Sequence, residues 1–265
     1  MRQEAYFCTV KELDELGKNN IPRQLISHTH LIYSSPATLA FNSPGAEGFG
    51  VKRAGLAVPD SVMLIVSPGC CGRNTSVLSS MRAYQDRFYY LLMDETDIVT
   101  GRHLKKIPKA VAEICEGLKK KPSVVMICIT CVDALLGTDM ERVCHKAEEY
   151  AGVPVRPCYM YALTREGRKP PMVHVRQSVY SLLEPKKKKG NVVNLLGYFS
   201  PLTDDCELYD LLHGAGVKTI HEISRCKDYA QYQTMSEANF NLVLHPEARF
   251  AACLLYTSPS PRDTR

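Results

Sequence analysis

The chain has 265 residues, of which 45% are hydrophobic, and a formal net charge of +5. This length exceeds one typical domain of about 100 to 150 residues, and the hydrophobic share suffices for a packed core. The charge is mild and no basic stripe interleaves with aromatic residues, which argues against nucleic-acid binding. No apolar run approaches the roughly 18 residues of a membrane span, and the N-terminus lacks a signal-peptide core. We therefore expect a soluble, cytoplasmic protein with no membrane partner.

The first 55 residues predict one helix and a long loop. Residues 10–16 carry a helical pattern, and a mixed segment with His28 and His30 follows. Such a single His-x-His pair is more often a surface or core pair than a metal site. Residues 34–55 are rich in Gly, Pro and Ser, which predicts a loop that crosses a sheet edge.

The apolar run of residues 62–66 predicts a buried strand of a parallel sheet. A Ser-Pro-Gly sequence at residues 67–69 then forces a turn, and Cys70 and Cys71 follow it. Good N-cap residues at 74–76 predict a helix after the turn. The two cysteines should therefore lie on a strand-to-helix crossover at the carboxyl edge of the sheet, where open α/β sheets bind ligands. A thiol near a helix N-terminus readily becomes a metal-binding thiolate.

The next stretch predicts two helices separated by a loop. Residues 81–93 place Tyr84, Phe88, Leu91 and Leu92 on a helical stripe, which predicts a core-facing helix.

Three carboxylates within four residues occur in segment 94–101, and we expect a solvated loop there rather than an acid–base site. Apolar residues at helical spacing then predict a helix over 103–120. Since proline is tolerated in the first turn, this helix is expected to begin near Pro108. Cys115 shares its apolar face and is expected to be a core residue.

A second buried strand is predicted over residues 123–129, and Thr130 and Cys131 close it. A capping box at residues 138–141 predicts a helix that runs to residue 150. The next strand is expected over 153–157, with Cys158 as a third strand-end cysteine. Strands alternating with helices predict a right-handed βαβ domain, in which strand-end cysteines could face one crevice.

Pro185 and the lysine run of residues 186–189 form the clearest boundary, and we interpret the run as a solvated linker. The pattern restarts with a strand at 191–196, a helix at 204–212 and strands at 218–223 and 241–244. We therefore expect an α/β protein with two Rossmann-like domains, at residues 1–185 and 190–252. The crossover at 197–201 is not GxGxxG, so it offers no glycine cradle for a nucleotide phosphate.

The last residues interrupt this pattern after Ala252. Residues 253–263 read CLLYTSPSPRD and resemble the translation of a transposase-type sequencing-library adapter. We expect that residues 253–265 are an artefact that packs against nothing, and that the natural chain continues with other residues. The alternative is a natural tail rich in Ser and Pro.

The chain contains eleven cysteines, an odd and scattered set that indicates buried thiols, metal ligands or redox chemistry rather than a disulfide framework. Cys128 and Cys131 match C-x-x-C, a motif of thiol oxidoreductases. Cys128 falls inside the apolar run, so we expect it to be buried and inert. A C-x-x-C thiol enzyme and a metal-free Rossmann-like binding module are alternatives from other functional classes.

Several short motifs occur in a fixed order along the chain. They are Pro68-Gly69-Cys70-Cys71-Gly72, the Glu95–Gly101 segment, Leu104-Lys105, Thr130-Cys131, Leu136-Gly137-Thr138-Asp139 and Val153-Pro154-Val155. In this order they resemble the component-1 family of nitrogenase and nitrogenase-like oxidoreductases, over about residues 43–252. The resemblance implies three Rossmann-like domains around Fe–S clusters, of which this chain would hold the first two and lack the third.

The resemblance also implies a set of metal ligands. In the family, a cysteine of a Gly-Cys turn and a cysteine of a Thr-Cys segment bind a cluster between paired subunits. Those positions match Cys71, or its neighbour Cys70, and Cys131 in this chain. Soft thiolates suit the iron of Fe–S clusters, and the remaining ligands would come from the partner subunit or from Cys158.

Two departures from the family pattern refine this expectation. Nitrogenase proper has an earlier cysteine about where Ser43 and Pro44 stand, so the resemblance implies a shared 4Fe-4S cluster rather than an eight-iron cluster. The family's cysteine for the iron–molybdenum cofactor falls at or beside His245. Imidazole can also bind metal, so His245 is a candidate ligand of a second metallocofactor, although not of the nitrogenase cofactor itself.

The function that the resemblance implies is that of an oxidoreductase subunit in a homo- or hetero-oligomer. It would receive electrons from a separate ATP-dependent Fe–S reductase and reduce a small molecule or a tetrapyrrole. The alternative within the same family is a non-catalytic scaffold on which a metallocofactor is assembled.

Overall fold

The computed structural model describes residues 9–20, 50–69, 79, 82–159 and 171–256. The α-helices in these ranges are α1 Val10–Leu16, α2 Gly50–Gly55, α3 Glu95–Thr100, α4 His103–Gly117, α5 Cys131–Leu135, α6 Met140–Ala151, α7 Pro171–Tyr180, α8 Glu207–Gly214, α9 Tyr229–Gln233 and α10 Arg249–Tyr256. The strands are β1 Val62–Ser67, β2 Phe88–Leu92, β3 Val125–Ile129, β4 Val155–Tyr159, β5 Lys189–Leu196, β6 Thr219–His221 and β7 Ala238–Val243.

The first sheet has the strand order β2-β1-β3-β4, and all its pairings are parallel. Every residue of β1 and of β3 is buried, as expected for central strands covered on both faces. The predictions of these two strands are confirmed. The pairing of β1 with β3 also confirms that they are neighbours, with Val66 in register with Ile129.

The helix predicted over residues 81–93 is wrong. The structure has a 3-10 turn at Arg82–Tyr84 and then strand β2. Asp86 adopts a φ of +58°, which ends any helical path before Phe88. The aromatic side chains of β2 favour an extended backbone, and Phe88 is the one buried residue of this strand.

The loop predicted over residues 94–101 is also wrong, because this segment forms helix α3. Asp94 caps the helix, and its side chain accepts a hydrogen bond of 2.7 Å from the Asp97 backbone N–H. Gly101 follows the helix with a φ of +64°, the left-handed conformation that suits glycine after a helix. The acidic residues therefore start a helix instead of lining a loop.

Helix α4 begins at His103 rather than near Pro108, which lies inside it. Pro108 has no N–H to donate to the preceding turn, but its ring is buried beside Ile107 on the apolar face of the helix. Cys115 is buried on that face too, which confirms its prediction as a core residue.

Helix α6 confirms the helix predicted from the capping box, although its N-cap is Asp139 rather than Thr138. The Asp139 carboxylate accepts a hydrogen bond of 3.1 Å from the Arg142 backbone N–H, and Gly152 ends the helix at a φ of +60°. Strand β4 begins two residues later than expected and extends through Cys158.

The second sheet has the order β6-β5-β7 and is parallel throughout. Strand β5 begins at Lys189, which pairs with Ala238, so the last residue of the predicted linker belongs to the sheet. The predicted elements are present, but their bounds shift by a few residues. Strand β6 is shorter than expected because Ile223–Arg225 forms a 3-10 turn with Ile223 buried.

Helix α7 connects the two sheets, and no feature noted in the sequence predicts it. Most of its side chains are buried, so it lacks the polar face that marks an amphipathic helix. One apolar cluster contains Met63 of β1, Val175 of α7, Leu196 of β5 and Ala251 of α10. The two sheets therefore share a core, and a second cluster packs α4 and α6 on the other face of the first sheet. The division at residues 185–190 remains a prediction.

Two segments expected to be irregular contain helices. Residues 50–55 of the predicted loop form α2, with Val51 and Ala54 buried. Residues 253–256 continue α10, where Leu255 is only 7% exposed and its carbonyl accepts a hydrogen bond from Lys188 Nζ. The expectation that the tail packs against nothing is therefore wrong for Leu255, while 257–265 lie outside the described residues. The adapter origin of the tail remains a prediction.

None of the helices described above combines the length and the apolar character needed to span a membrane.

Candidate functional site

The first sheet has a topological switch point between β1 and β3. The chain leaves β1 for β2 on one side and then crosses to β3 on the other side. In open α/β sheets this reversal leaves a crevice outside the carboxyl ends of the two strands, and ligands bind there. In the sequence, the predicted cysteine ligands follow shortly after these two strands.

Cys131 is the first residue of α5, two positions after the end of β3. Its backbone therefore lies at the carboxyl edge of the sheet, while its side chain is outside the described part. Cys70 and Cys71 follow Gly69 directly and also lie outside the described residues. The assignment of these three cysteines as metal ligands remains a prediction. Among the described residues, no group of three or more His, Cys, Asp or Glu side chains could hold a metal ion.

Two buried hydroxyl groups mark the edge of this crevice. Ser67 and Thr130 each directly follow one member of the Val66–Ile129 register pair. Both are almost fully buried, and neither hydroxyl has a hydrogen-bond partner among the residues that the structure describes. An unsatisfied buried hydroxyl costs about 1–3 kcal/mol, so a further acceptor is expected at this edge. Thiolate and sulfide sulfurs accept such hydrogen bonds, so the two residues fit an Fe–S group.

A buried ionic cluster joins α3 to the start of α4. Asp97 is 1% exposed, and its carboxylate accepts hydrogen bonds from Lys106 Nζ at 2.7 Å and Arg102 Nε at 2.8 Å. These two cations lower the pKa of Asp97 to about 2. The carboxylate is therefore ionised across the physiological range and holds the start of α4 against α3.

His103 extends this cluster toward α5. Its Nδ1 is 3.0 Å from the Asp97 carbonyl oxygen, and its Nε2 is 2.9 Å from Asp133 Oδ1. Both side chains are almost completely buried. Asp133 lies in α5, two residues after Cys131, so the contact joins the base of α4 to the cysteine-bearing helix.

The other cysteines of the first sheet are core residues. Cys128 and Cys158 pair in register on β3 and β4, and both are fully buried. Burial raises the pKa of Cys128 to about 11 and holds that of Cys158 well above its usual value. The prediction that Cys128 is buried is therefore confirmed. The suggestion of Cys158 as a strand-end ligand is wrong, because Cys158 lies within β4 and is fully buried in the first core cluster.

A second crevice has the same topology in the second sheet. The order β6-β5-β7 places a switch point between β5 and β7, where Gly197 and His245 follow the strands. A cavity of about 540 Å³ opens beside it. The residues that line it include Arg53, Tyr84, Arg176, Tyr198, His245 and Glu247.

His245 stands at the mouth of this cavity with a side chain that is 35% exposed. Its Nδ1 accepts a hydrogen bond of 3.4 Å from the Glu247 backbone N–H and thereby caps a 3-10 turn. The ring lies edge-on to Tyr198, with 5.9 Å between the ring centroids. This arrangement occupies Nδ1 and leaves Nε2 as the atom available to a ligand. The role of His245 toward a cofactor remains a prediction.

Arg176 fixes the wall of the same cavity. It is buried and donates two hydrogen bonds to the Gly197 carbonyl oxygen, at 2.6 and 3.1 Å, and one of 2.8 Å to Glu247 Oε2. It therefore joins α7 to the two loops that end β5 and β7. Arg53 and Arg87 also line the cavity, which favours an anionic group in it.

Together these features define an α/β protein with two doubly wound parallel sheets, each with a crevice at its switch point. Residues 47–257 match the family model described as "Nitrogenase component 1 type Oxidoreductase". The chain belongs to this family, as its motifs predict.

The chain is similar to curated proteins that include nitrogenase iron-molybdenum cofactor biosynthesis proteins NifE. The protein from Rhizobium meliloti (strain 1021) is 28% identical over 64% of this chain and 37% of its own length. The protein from Klebsiella pneumoniae is 26% identical over 76% of this chain and 48% of its own length. The chain therefore spans less than half the length of these relatives.

Solved structures share the fold. The structure "Nitrogenase Cp1 at pH 5" matches with a TM-score of 0.55 at 22% identity, over 78% of this chain and 45% of that chain. The structure "Nitrogenase Cp1 at pH 6.5" matches with a TM-score of 0.51 at 22% identity, over 73% of this chain and 40% of that chain. At this identity the likeness shows the Rossmann-like fold and nothing more specific.

Proposed function

We propose that this chain is part of a component-1-type subunit that binds an Fe–S cluster, of the 4Fe-4S kind, at the β1/β3 crevice. Cys131 and one or both of Cys70 and Cys71 would supply thiolate ligands. The observation that supports the proposal is the pairing of β1 with β3, because the ends of these two strands, which precede the cysteines in the sequence, lie side by side at one sheet edge. When bound, the cluster would supply one-electron transfer, and the Ser67 and Thr130 hydroxyls would donate hydrogen bonds to its sulfurs.

A paired subunit is part of this proposal. The segments that leave the carboxyl ends of β2 and β3 expose large apolar side chains. Val99 is 85% exposed, Leu135 65% and Leu136 51%. Exposed apolar groups beside a candidate site favour a protein interface, and a second subunit would also provide the missing cluster ligands.

Two roles are compatible with such a subunit. In the first, it relays electrons from an ATP-dependent iron protein to a small molecule or tetrapyrrole held in the cavity beside His245. In the second, it is a scaffold on which a metallocofactor is assembled. The names of the curated relatives favour the scaffold role. The arginines around the cavity suit an anionic substrate and an anionic cofactor precursor equally.

The ligand assignment is tested with two cysteine variants of the complex purified with its paired subunit under anaerobic conditions. Cys131→Ala should abolish the bound iron, the labile sulfide and the brown colour. Cys128→Ala is the matched control, because Cys128 is three residues earlier, fully buried and held as a thiol by its raised pKa. It should keep all three nearly unchanged. If iron and sulfide survive the loss of Cys131, the proposed site is wrong.

The two roles are then separated by what the intact complex does. A reductase consumes its substrate catalytically, whereas a scaffold transfers an assembled cofactor to a cofactor-free acceptor protein. Transfer without turnover supports the scaffold role, and turnover without transfer supports the reductase role.

A further inference from the structure

The buried contact between His103 and Asp133 joins α4 to α5, the helix that carries Cys131. His103 is the first residue of α4, and Asp133 lies within α5. The distance between Nε2 and Oδ1 is 2.9 Å, and both side chains are excluded from solvent. Ligand binding in the β1/β3 crevice or in the second cavity does not by itself explain why these two side chains are paired and buried.

The histidine is held firmly from its other side. Nδ1 faces the Asp97 carbonyl oxygen at 3.0 Å, and the Asp97 carboxylate is bound by Arg102 and Lys106. A carbonyl oxygen can only accept a hydrogen bond, so Nδ1 donates to Asp97. His103 is therefore anchored to α3 and α4 independently of α5.

The Asp133 side chain has few other partners, while its backbone carbonyl oxygen accepts a hydrogen bond of 3.1 Å from the Thr138 N–H. Its Oδ1 also accepts a hydrogen bond of 3.2 Å from Thr138 Oγ1, while Oδ2 is buried and has no hydrogen-bond partner among the described residues. Helix α5 has five residues, too few for independent stability, and its C-terminal Leu135 is exposed. The contact between His103 and Asp133 is therefore the side-chain link that joins α5 to α4, beside the Thr138 hydrogen bonds and the packing of Val132 against the core.

We propose that His103 is a positioning residue for the metal site. Through Asp133 it fixes α5, and it thereby fixes the place from which Cys131 reaches the cluster. This inference rests on the proposed function, in which Cys131 is a ligand. Partners that orient metal ligands typically change metal affinity by about 10- to 100-fold when they are lost.

Two amide substitutions of His103 separate the contribution of Nε2 from that of Nδ1. His103→Gln places an amide donor near the position of Nε2 and preserves the hydrogen bond to Asp133. His103→Asn places it near Nδ1 and preserves only the contact with the Asp97 carbonyl oxygen. The complex with the paired subunit is purified anaerobically, and two quantities are measured. These are the rate of iron release to a ferrous chelator and the electron paramagnetic resonance spectrum of the reduced cluster.

We expect His103→Asn to release iron about 10-fold faster than the unchanged protein and to alter the spectrum. His103→Gln should restore both toward the original values. His145→Gln is the control, since His145 is a largely exposed histidine on α6. It should change neither. Thr138→Val removes the other hydrogen bond to Asp133 Oδ1 from a half-buried position, and it should accelerate release to a smaller extent.

Equal behaviour of His103→Asn and His103→Gln would overturn the positioning role, and so would a loss of thermal stability with an unchanged spectrum. If His103→Asn does not fold, His103→Gln and Thr138→Val carry the test. The two proposals fail differently. If Cys131→Ala retains its iron, the proposed function is wrong. If Cys131→Ala loses iron while the His103 variants match the control, only the positioning role is wrong.

Discussion

Gly197 decides the geometry of the second crevice through the absence of one atom. Its φ is +140°, and an added Cβ would lie 2.7 Å from the His245 backbone nitrogen. This φ lies in a region that is essentially restricted to glycine, and the contact is closer than side-chain carbons tolerate. The loops after β5 and β7 can therefore approach each other, with the Leu244 N–H donating to the Leu196 carbonyl oxygen at 2.7 Å.

We expect Gly197→Ala to lower the free energy of unfolding by about 1–3 kcal/mol, because it adds backbone strain and a clash with His245. Denaturant unfolding of the purified protein measures this change. Gly117→Ala at the end of α4 is the matched control, since nothing lies within 4 Å of its added Cβ. Equal effects of the two substitutions would contradict this account of Gly197.

Local sequence patterns predict some residue roles and miss others. The burial of Cys115 and Cys128 follows from their positions within apolar patterns. The role of Arg176 could not be predicted in this way, because its partners Gly197 and Glu247 are 21 and 71 residues away. Ser67 and Thr130 offered a weak signal, as each is a hydroxyl residue that directly follows an apolar run.

At the scale of elements, β1 and β3 were predictable and β2 was not. The two central strands are covered on both faces, so they appear as continuous apolar runs. Strand β2 has its residues partly exposed, and Tyr84, Phe88 and Leu92 happen to recur at helical spacing. Spacing alone cannot separate the two structures in so short an apolar segment.

Helix α10, at the end of the described residues, is another element whose extent the sequence pattern does not predict. The sequence pattern of alternating strands and helices ends at Ala252. Nevertheless, Ala251, Ala252 and Leu255 are all buried in the cluster that joins the two sheets. Lys188 also donates a hydrogen bond of 3.3 Å to the Leu255 carbonyl oxygen. Whatever the origin of residues 253–256, Leu255 contributes apolar surface to this core.

Two shortened chains test the contribution of this helix turn. A chain that ends at Tyr256 should keep the free energy of unfolding of the 265-residue chain, because it retains all of α10. A chain that ends at Ala252 should lose about 2 kcal/mol or more, the usual cost of removing a buried leucine side chain. Denaturant unfolding provides the comparison. If both shortened chains are equally stable, the packing of Leu255 contributes nothing.

At the scale of the whole molecule, the alternation of strands and helices predicts both parallel sheets. It does not predict that α7 and α10 join them into a shared core, since that contact depends on pairs distant in sequence. Each sheet has its switch point between its first strand and a strand that follows later in the chain. This shared topology places the backbone of Cys131 and His245, far apart in sequence, each at the carboxyl edge of a sheet.

The connection after β5 bears on how such a molecule would receive electrons. Residues Gly197 to Pro201 present Tyr198 and Phe199 to the cavity, and they lack the glycine-rich loop that cradles nucleotide phosphates. The family resemblance implies that a separate ATP-dependent iron protein supplies the electrons, and we propose this partner for the complete subunit complex.

The complete subunit complex should show full activity only with the iron protein, MgATP and a reductant together. With a chemical reductant alone we expect the rate to fall at least about 10-fold, because small reductants do not reproduce a docked electron donor. The measurement is steady-state turnover or cofactor transfer, according to the role found for the complex. Omitting MgATP while keeping the iron protein is the control for docking without hydrolysis. An undiminished rate with the chemical reductant alone would show that no separate ATP-dependent partner is needed.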